Sequence, residues 1–459
     1  MAGIPTTVVT RKGFTQVVAN AYAGFGLPAE EPAAFEFPNA MFLSGSDLSP
    51  IRENIDKLVA GLTAWKPKVT EKGVYPAPLV TVKGKDYQTA FDNMNAIFMK
   101  NLWSDGLPLT PPTAERVNWI MKGTDLAPDT VIGTILPRGG LGTVQSIAVN
   151  LAMAGGRPEY MPVLIAAVQA IADPKFELQS ISPSTNSNYI AVVVNGPMAK
   201  DIRLNSGYSL VGPDSVHPAG QVIGRALAFI LQNPGGAVPG IGAMELYGGM
   251  RITNAVFAED EAGLPKDWTP LSVDLGFVKG NNIASVYAVT SATNINTMPG
   301  DYTTAEAEVT SFLYRIAGEM HGHNGAIHYL QTTSTNFSRG IVLISRTFAQ
   351  NVADLGWSKL KVKTFLWDNS KYSWSDLQKL GETKAAKTNC GTTEGQTAHL
   401  TAKPEQITLI VAGGASSQHA YWMEGGKGTS ILSVPIRLPS KWIDLIKVSE
   451  ADLGPIPDF

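Results

Sequence analysis

Apolar residues recur at the spacing of an α-helix over residues 49–65. Ile55 and Leu62 fall on one face of that helix, seven residues apart. Pro50 suits the first helical turn, and Ser49 before it is the predicted N-cap. The pattern therefore predicts one continuous amphipathic helix over this range.

The first 66 residues carry the pattern of half an α/β unit. Residues 5–9 are rich in β-branched side chains, which predicts a strand, and residues 14–23 place apolar side chains on one helical face. Together with the helix at 49–65, these elements are too few to cover both faces of a doubly wound sheet. We expect residues 1–66 to be a partial doubly wound α/β unit, the later part of a domain whose first part lies elsewhere.

A larger body follows a segment rich in Pro, Gly and Lys. Residues 67–86 are predicted to be a linker, and residues 87–459 a layered α/β body that binds substrate. Helices and strands interleave there, which predicts a mixed sheet. The helices are expected at 87–101, 113–122, 143–154, 162–172, 218–232, 304–317 and 358–367, with Thr113 and Thr143 as caps. The strands are expected at 131–135, 189–194, 251–257, 284–290, 341–345, 406–412 and 430–435.

Composition narrows the class of protein. A chain of 459 residues favours two or more domains. The net charge of -3 and the scattered basic residues argue against a nucleic-acid or anionic-membrane surface. We find no run of about 18 apolar residues that would span a membrane. The single cysteine, Cys390, excludes an internal disulfide framework and fits a reducing cytoplasm.

The segment ITLIVAGGASSQHAYW, residues 407–422, is the first candidate for chemistry. Its apolar run predicts a strand buried on both faces, and ligands of open α/β sheets bind beyond the carboxyl ends of strands. His419 is the candidate catalytic acid or base. The alternative is a tight turn with a surface histidine. The candidate substrate-binding residues here are Gly413, Gly414, Ser416 and Ser417.

The segment EMHGHNGAIH, residues 319–328, contains three histidines that could hold a metal. On a strand, His321 and His323 would share a face, and His328 lies five residues further on. Neutral imidazoles suit Zn, Cu or Fe. The alternative is a helix C-terminus, where histidine is favoured by the helix dipole and glycine ends the helix.

Cys390 lies in the segment TNCGTTEGQTAH, residues 388–399, and is the second catalytic candidate. It could act as a nucleophile with His399 or Glu394 near it. The alternative is an inert small residue, since no basic residue beside it would lower the thiol pKa.

Three charged residues complete the set of candidate substrate contacts. Arg138 follows a strand in a Gly-rich turn that leads into a capped helix, where it could clamp a carboxylate or phosphate. Asp105 lies in a turn before two prolines, and Arg225 lies on a predicted buried helix. A buried arginine needs an anionic partner, which is either a structural carboxylate or a substrate.

Several long stretches resemble the large proteins of the UGSC-type (seleno)protein family. The resemblance covers roughly residues 1–67 and 100–440. The stretches that carry it include DGLPLTPPTAERV, TVQSIAVNLAMAGGRPEYMPVLIAAVQAI, IGRALAFILQNPGGAVPG, FAEDEAGLPKDWTPLSVDLGF, IVLISRTFAQNVADLGWSKLKVKTFLWD and ITLIVAGGASSQHAYW.

At the N-terminus, AGIPTTVVTRKGF and SPIRENIDKLVAGLTAW resemble the second half of the UGSC domain. That domain resembles the thiol or selenol subunits of glycine-reductase-type enzymes. In the family, a Cys/Sec-Gly-Ser-Cys motif lies just before the GIPT strand. The resemblance therefore implies a split protein, in which a small partner subunit supplies the first half-domain and its reactive thiol or selenol.

This chain departs from the family pattern in two places. Ser345-Arg346-Thr347 stands where a Pro-Glu-His-like turn is expected, and Leu246-Tyr247-Gly248-Gly249-Met250 where a Gly-His-Pro-Gly-Lys-like loop is expected. Both changes remove ionisable groups or metal ligands. They indicate a specialised substrate.

Three functions remain open from the sequence. The first is the large subunit of a hetero-oligomeric thiol- or selenol-dependent oxidoreductase or lyase, which cleaves or reduces a bond in a small polar molecule. There the partner Cys or Sec is the nucleophile, His419 transfers protons, and Arg138 and the 413–416 loop orient the substrate. The second is a metal-dependent hydrolase, hydratase or lyase that uses the three histidines. The third is a non-catalytic binding or scaffold subunit.

Overall fold

The computed structural model describes residues 7–24, 34–64, 79–248, 253–297, 300–322, 340–426 and 431–455. The strands are β1 (Val8–Arg11), β2 (Ala34–Phe37), β3 (Val131–Ile135), β4 (Gly140–Thr143), β5 (Tyr189–Asn195), β6 (Ala255–Ala258), β7 (Ile283–Asn296), β8 (Gly340–Ile344), β9 (Tyr372–Ser373), β10 (Thr397–Ala398), β11 (Thr408–Val411), β12 (His419–Gly425) and β13 (Leu432–Pro435).

The helices alternate with these strands along the chain. They are α1 (Thr15–Gly24), α2 (Ser49–Glu53), α3 (Ile55–Thr63), α4 (Tyr87–Lys100), α5 (Ala114–Ile120), α6 (Val144–Met153), α7 (Met161–Ala172), α8 (Leu178–Ile181), α9 (Met198–Asp201), α10 (Ala219–Gln232), α11 (Leu271–Asp274), α12 (Ala305–Gly322), α13 (Arg346–Asp354), α14 (Lys359–Asn369), α15 (Trp374–Lys379), α16 (Thr383–Cys390) and α17 (Trp442–Leu453).

The N-terminal unit contains a two-stranded parallel sheet, β1 with β2, and the helices α1 to α3. The single helix predicted over residues 49–65 is wrong, because the helix is interrupted at Asn54 between α2 and α3. Ser49 is not the N-cap either: Leu48 occupies that position, and Ser49 is the first helical residue. The Ser49 backbone N–H instead donates to Asp47 Oδ1 at 2.9 Å.

The main sheet is mixed and has seven strands, in the order β11-β8-β12-β7-β5-β6, with β13 also paired to β7. It curves into a half-barrel, which confirms the predicted α/β class. β5 and β6 are parallel to each other, as are β8 and β11, whereas β7 is antiparallel to both β5 and β12. The antiparallel strands β7 and β12 therefore lie between the two parallel pairs, with β12 next to β8 and β7 next to β5.

β12 and β13 follow each other along one edge of β7. β12 pairs with the second half of β7, from His419 opposite Asn296 to Gly425 opposite Val289. β13 then pairs with its first half, where Leu432 lies opposite Val286. The strand predicted at 284–290 thus extends to residue 296, and the polar segment after residue 418 forms a strand that the apolar pattern did not predict.

Three apolar cores cover the two faces of this sheet. One core lies between β5, β7 and the helices α6, α7 and α10, and a second lies between β8, β11, β12 and the helices α12 to α14. The third, here called the interior core, fills the concave side of the half-barrel. In β11, Leu409 belongs to the second core and Ile410 to the interior core, which confirms a strand buried on both faces.

The predicted helix caps in the first core are confirmed. Thr113 accepts a hydrogen bond from the Arg116 backbone N–H at 3.3 Å, and Thr143 accepts one from the Ser146 N–H at 3.1 Å. Such side-chain oxygens satisfy N–H groups that have no partner within the helix. Within the described residues, none of the helices combines the length and hydropathy needed to cross a membrane.

Candidate functional site

The carboxyl ends of β6 and β11 meet at one rim of the half-barrel. The Asp260 backbone N–H, just after β6, donates to the carbonyl of Val411 at 2.8 Å. The Gly413 N–H, just after β11, donates to the carbonyl of Ser206 at 2.9 Å. The loops that follow these strands are therefore held together beyond the strand ends, where ligands of α/β sheets bind.

His419 lies at this rim and is hydrogen-bonded to Ser416. Its Nδ1 is 2.8 Å from Ser416 Oγ, and the residue is exposed. Ser416 is held in turn, because the Ser345 hydroxyl donates to its carbonyl. Alternation along β12 puts Met423 in the interior core, so His419, four residues earlier, is on the concave side of the sheet. This positions the imidazole to exchange protons with a molecule at the rim.

Local structure explains why glycine occupies positions 413 and 414 of the 413–419 loop. Gly413 has φ of 99°, a conformation that other residues rarely adopt. A Cβ on Gly414 would collide with the ring of Tyr208, whose hydroxyl donates to the Ala415 carbonyl at 3.2 Å. An aromatic side chain thus packs against Gly414, a candidate substrate-binding residue.

An ion pair lies at the same rim, beside the 413–419 loop. Arg346 Nη2 lies 2.5 Å from Asp260 Oδ2, and the carboxylate is buried while the guanidinium side chain is 48% exposed. Ser345 caps α13 by accepting from the Phe348 N–H at 3.1 Å. Ser345 and Arg346 therefore both lie in the site itself.

A buried carboxyl group lies behind the rim on the concave side. Glu259 Oε2 accepts from Asn195 Nδ2 at 2.7 Å and from the Leu271 N–H at 2.6 Å. Its Oε1 is buried without a hydrogen-bond partner among the described residues. Burial raises the pKa of Glu259, although the nearby ammonium of Lys359 opposes that shift. A neutral Glu259 can hold a proton inside the half-barrel.

Two buried lysines share one aspartate next to Glu259. Lys359 Nζ lies 2.8 Å from Asp274 Oδ2, and Lys363 Nζ lies 3.2 Å from the same atom. Burial alone would raise the pKa of Asp274, but the two ammonium groups outweigh it and keep that pKa below its usual value. Burial lowers the pKa of Lys363, against the attraction of Asp274. The cluster stabilises α11 against α14.

The loop that carries Tyr208 also contains a His–Asp pair that was not predicted from the sequence. His217 Nδ1 lies 2.7 Å from Asp214 Oδ2. Burial would raise the pKa of Asp214, but the His217 hydrogen bond and charge lower it overall. Asn205 ties this pair to the rim, because its amide donates to the Tyr208 carbonyl at 2.8 Å and to Asp214 at 3.4 Å. The signal in the sequence is an acid three residues before a histidine.

Asp105 and Arg225, predicted as substrate contacts, bind each other. Arg225 Nε donates to Asp105 Oδ2 at 2.7 Å and Nη2 donates to Oδ1 at 2.9 Å. The substrate role is therefore replaced by the alternative of a structural carboxylate. This bidentate pair fastens the 105–108 turn to α10.

Arg138 lies where the N-terminal unit meets the body. Its Nε donates to Asn20 Oδ1 at 3.1 Å, and its Nη1 donates to the Asn233 carbonyl at 3.4 Å. Asn20 Nδ2 also donates to the Gly236 carbonyl at 3.1 Å. Burial lowers the pKa of Arg138. The structure gives this arginine a role in joining the two parts of the chain.

His321 lies in the last turn of α12 and not on a strand, which confirms the alternative of a helix C-terminus at this residue. Its ring stacks on Tyr372 at 4.2 Å, and its carbonyl accepts from the Tyr372 hydroxyl. His323 and His328 lie outside the described residues. Within the described part, no group of three His, Cys, Asp or Glu side chains is arranged to hold a metal.

The structure describes both Cys390 and His399. Cys390 ends α16 and is partly buried against the second core. His399 stacks on Trp367 with 3.4 Å between ring centroids, and its Nδ1 lies 3.2 Å from the Trp367 carbonyl oxygen. Burial lowers the pKa of His399. A nucleophilic role for Cys390 stays a prediction.

In the loop at residues 246–250, Leu246 and Tyr247 are exposed, and Gly249 and Met250 lie outside the described residues.

Comparison with protein-family models, with curated proteins and with solved structures finds no match for this chain.

Proposed function

We propose that this chain is the large, substrate-binding subunit of a hetero-oligomeric enzyme that cleaves or reduces a bond in a small polar molecule. A partner subunit supplies a Cys or Sec nucleophile, and the complex works in a reducing compartment such as the cytoplasm. The observation that carries the proposal is the hydrogen bond between Ser416 Oγ and His419 Nδ1 at the rim.

His419 has the chemistry that thiolate attack requires. The attack forms a bond between the partner's sulfur or selenium and the substrate, and it breaks the substrate's bond to its leaving group. The leaving group then takes a proton, which an imidazolium can give near neutral pH. The contact with Ser416 fixes the ring orientation, and the other ring nitrogen, Nε2, has no partner among the described residues.

Arg346 supports a polar substrate at the same rim. Its guanidinium is half exposed, although one of its nitrogens contacts Asp260. The remaining N–H groups are free to donate to a carboxylate or another oxygen of the substrate. We assign this residue a positioning role, and His419 the proton transfer.

The N-terminal unit supports a partner subunit. Within the described residues, β1 pairs only with β2, so the small parallel sheet lacks further strands. On α3, Ile55, Val59 and Leu62 lie four and three residues apart, and each is about half exposed. Contiguous exposed apolar side chains at helical spacing are typical of a protein–protein interface.

The test is turnover by the assembled complex. The complex is incubated with dithiothreitol and a defined mixture of amino acids, hydroxy acids and amines, and mass spectrometry follows their consumption. His419→Ala should slow consumption by about 10²–10⁴-fold, which is typical for the loss of a general acid or base. Added imidazole should restore part of the rate, which it would not do for a structural defect.

Consumption within about threefold of the wild-type rate in His419→Ala would rule out the proton-transfer role. Binding of a component of the mixture with no consumption would favour the scaffold function instead.

A further inference from the structure

A cavity of about 270 Å³ lies between α12 and α13, against the 413–419 loop. Its floor is apolar and contains Val309, Phe312 and Phe348, which are buried. Phe312 and Phe348 meet edge to face at 4.9 Å between ring centroids, which fixes the shape of the floor.

The polar wall of this cavity is rich in oxygen acceptors. Glu308 and Asp354 contribute carboxylates, Asn351 and Gln418 contribute amides, and Ser417 contributes a hydroxyl. The lining residues of the cavity include no Lys, Arg or His. Two negative charges and an apolar floor favour a ligand that has a cationic group and a short hydrocarbon body.

Gln418 forms a hydrogen bond within this polar wall. The side chain is only 7% exposed, and its amide nitrogen donates to Glu308 Oε1. Its amide oxygen is left without a hydrogen-bond partner among the described residues that line the cavity with it. Within the described part of the chain, Glu308 Oε2 and Asp354 Oδ2 accept no hydrogen bond, while Asp354 Oδ1 accepts from Gln350 at 2.7 Å. These free acceptors match the three N–H donors of an ammonium group.

We propose that this cavity is a binding site for a small primary ammonium compound, separate from the rim where His419 lies. The ammonium donates to Glu308, Gln418 and Asp354, and the hydrocarbon part lies on Phe312 and Phe348. Trp422 and Ala420, which alternate with His419 along β12, are in the second core on the side of α12 and α13. The cavity and the imidazole are therefore on opposite faces of the sheet.

The site binds its ligand whether or not the enzymatic proposal holds. A ligand here contacts Ser417 and Gln418, the two residues between Ser416 and His419. It is thus placed to influence the histidine from the other side of the loop.

The test is calorimetric titration of the full chain with n-butylammonium chloride, n-butanol and sodium butyrate. We expect butylammonium to bind at least about tenfold more tightly than butanol, with butyrate the weakest. Glu308→Gln and Asp354→Asn should each weaken butylammonium binding by about tenfold, because each removes one charge-assisted hydrogen bond. The control Glu306→Gln removes the same charge from an exposed position on α12 outside the cavity, and it should leave the affinity unchanged.

Equal affinity for butanol and butylammonium would overturn the proposal. So would saturable binding that Glu306→Gln weakens as much as Glu308→Gln, or no saturable binding of any of the three compounds. His419→Ala should leave butylammonium binding intact, so that failure of this site and failure of the proposed enzyme function are separate results.

Discussion

At the scale of single residues, the rim is built from side chains that lie far apart in the sequence. Tyr208, Asp260 and Arg346 all contact the 411–416 region or each other, although they come from three different segments. The apolar pattern identified the end of β11 and the polar cluster with His419. It could not identify Tyr208 or Arg346, because their positions depend on contacts between distant segments.

Gly413→Ala should destabilise the protein. The φ of 99° at this position is strained for any residue with a Cβ, even though the space around it is open. We expect a loss of about 1–3 kcal/mol, measured as a lower thermal midpoint. The matched control is Gly318→Ala in α12, where the backbone is helical and the space is also open. There alanine should raise the midpoint, and equal effects at both positions would contradict the explanation from backbone strain.

Glu259→Gln should change how stability depends on pH. The pKa of Glu259 is raised by burial above its usual 4.5, so the folded state holds a proton that the unfolded chain releases. In the wild type, this group favours folding at low pH, and that contribution is lost as the pH rises through the raised pKa. The amide removes this dependence while keeping an oxygen for Asn195 and Leu271.

The thermal midpoint of Glu259→Gln minus that of the wild type should therefore increase from about pH 4 to about pH 8. A difference that stays constant over this range would show that Glu259 ionises as it does in the unfolded chain.

At the scale of elements, the sequence predicted best where the pattern is local. The caps at Thr113 and Thr143 and the buried strand β11 follow from neighbouring residues, and the structure has them. The break at Asn54 was missed because apolar spacing continues across it. β12 was missed because its polar residues become a strand only through pairing with β7 and β8, which lie more than 70 residues away along the chain.

The exposed face of α3 gives a prediction at this scale. Val59→Asp places a charge where an apolar side chain is 49% exposed, and Leu58 and Gly61 remain buried on the other side. We expect the thermal midpoint of the chain alone to be nearly unchanged, since surface substitutions usually shift stability by less than about 0.5 kcal/mol. The partner subunit should no longer bind, because the charge would be buried in the interface.

The matched control for this helix is Lys57→Asp, which changes charge at an exposed polar position of α3. If both variants retain the partner equally, the α3 face is not the interface. If Val59→Asp lowers the thermal midpoint markedly, its side chain supports the fold instead.

At the scale of the whole molecule, the half-barrel and the described part of the N-terminal unit differ in how many apolar side chains they bury. The half-barrel has apolar cores on both faces. In the described part of the N-terminal unit, Phe37 and Leu58 are the buried large apolar side chains, beside several exposed ones. The α/β class could be predicted from interleaved elements, whereas the pairing of β7 with β5, β12 and β13 could not, since those strands lie far from it along the chain.

The most direct test of the proposed hetero-oligomer is the native mass of the untagged protein from its own host, with every co-purifying chain sequenced. We predict a stoichiometric small subunit that carries a Cys/Sec-Gly-Ser-Cys motif and is absent from preparations of Val59→Asp. A homo-oligomer or a monomer with no small subunit would contradict the proposed division of the enzyme between two chains.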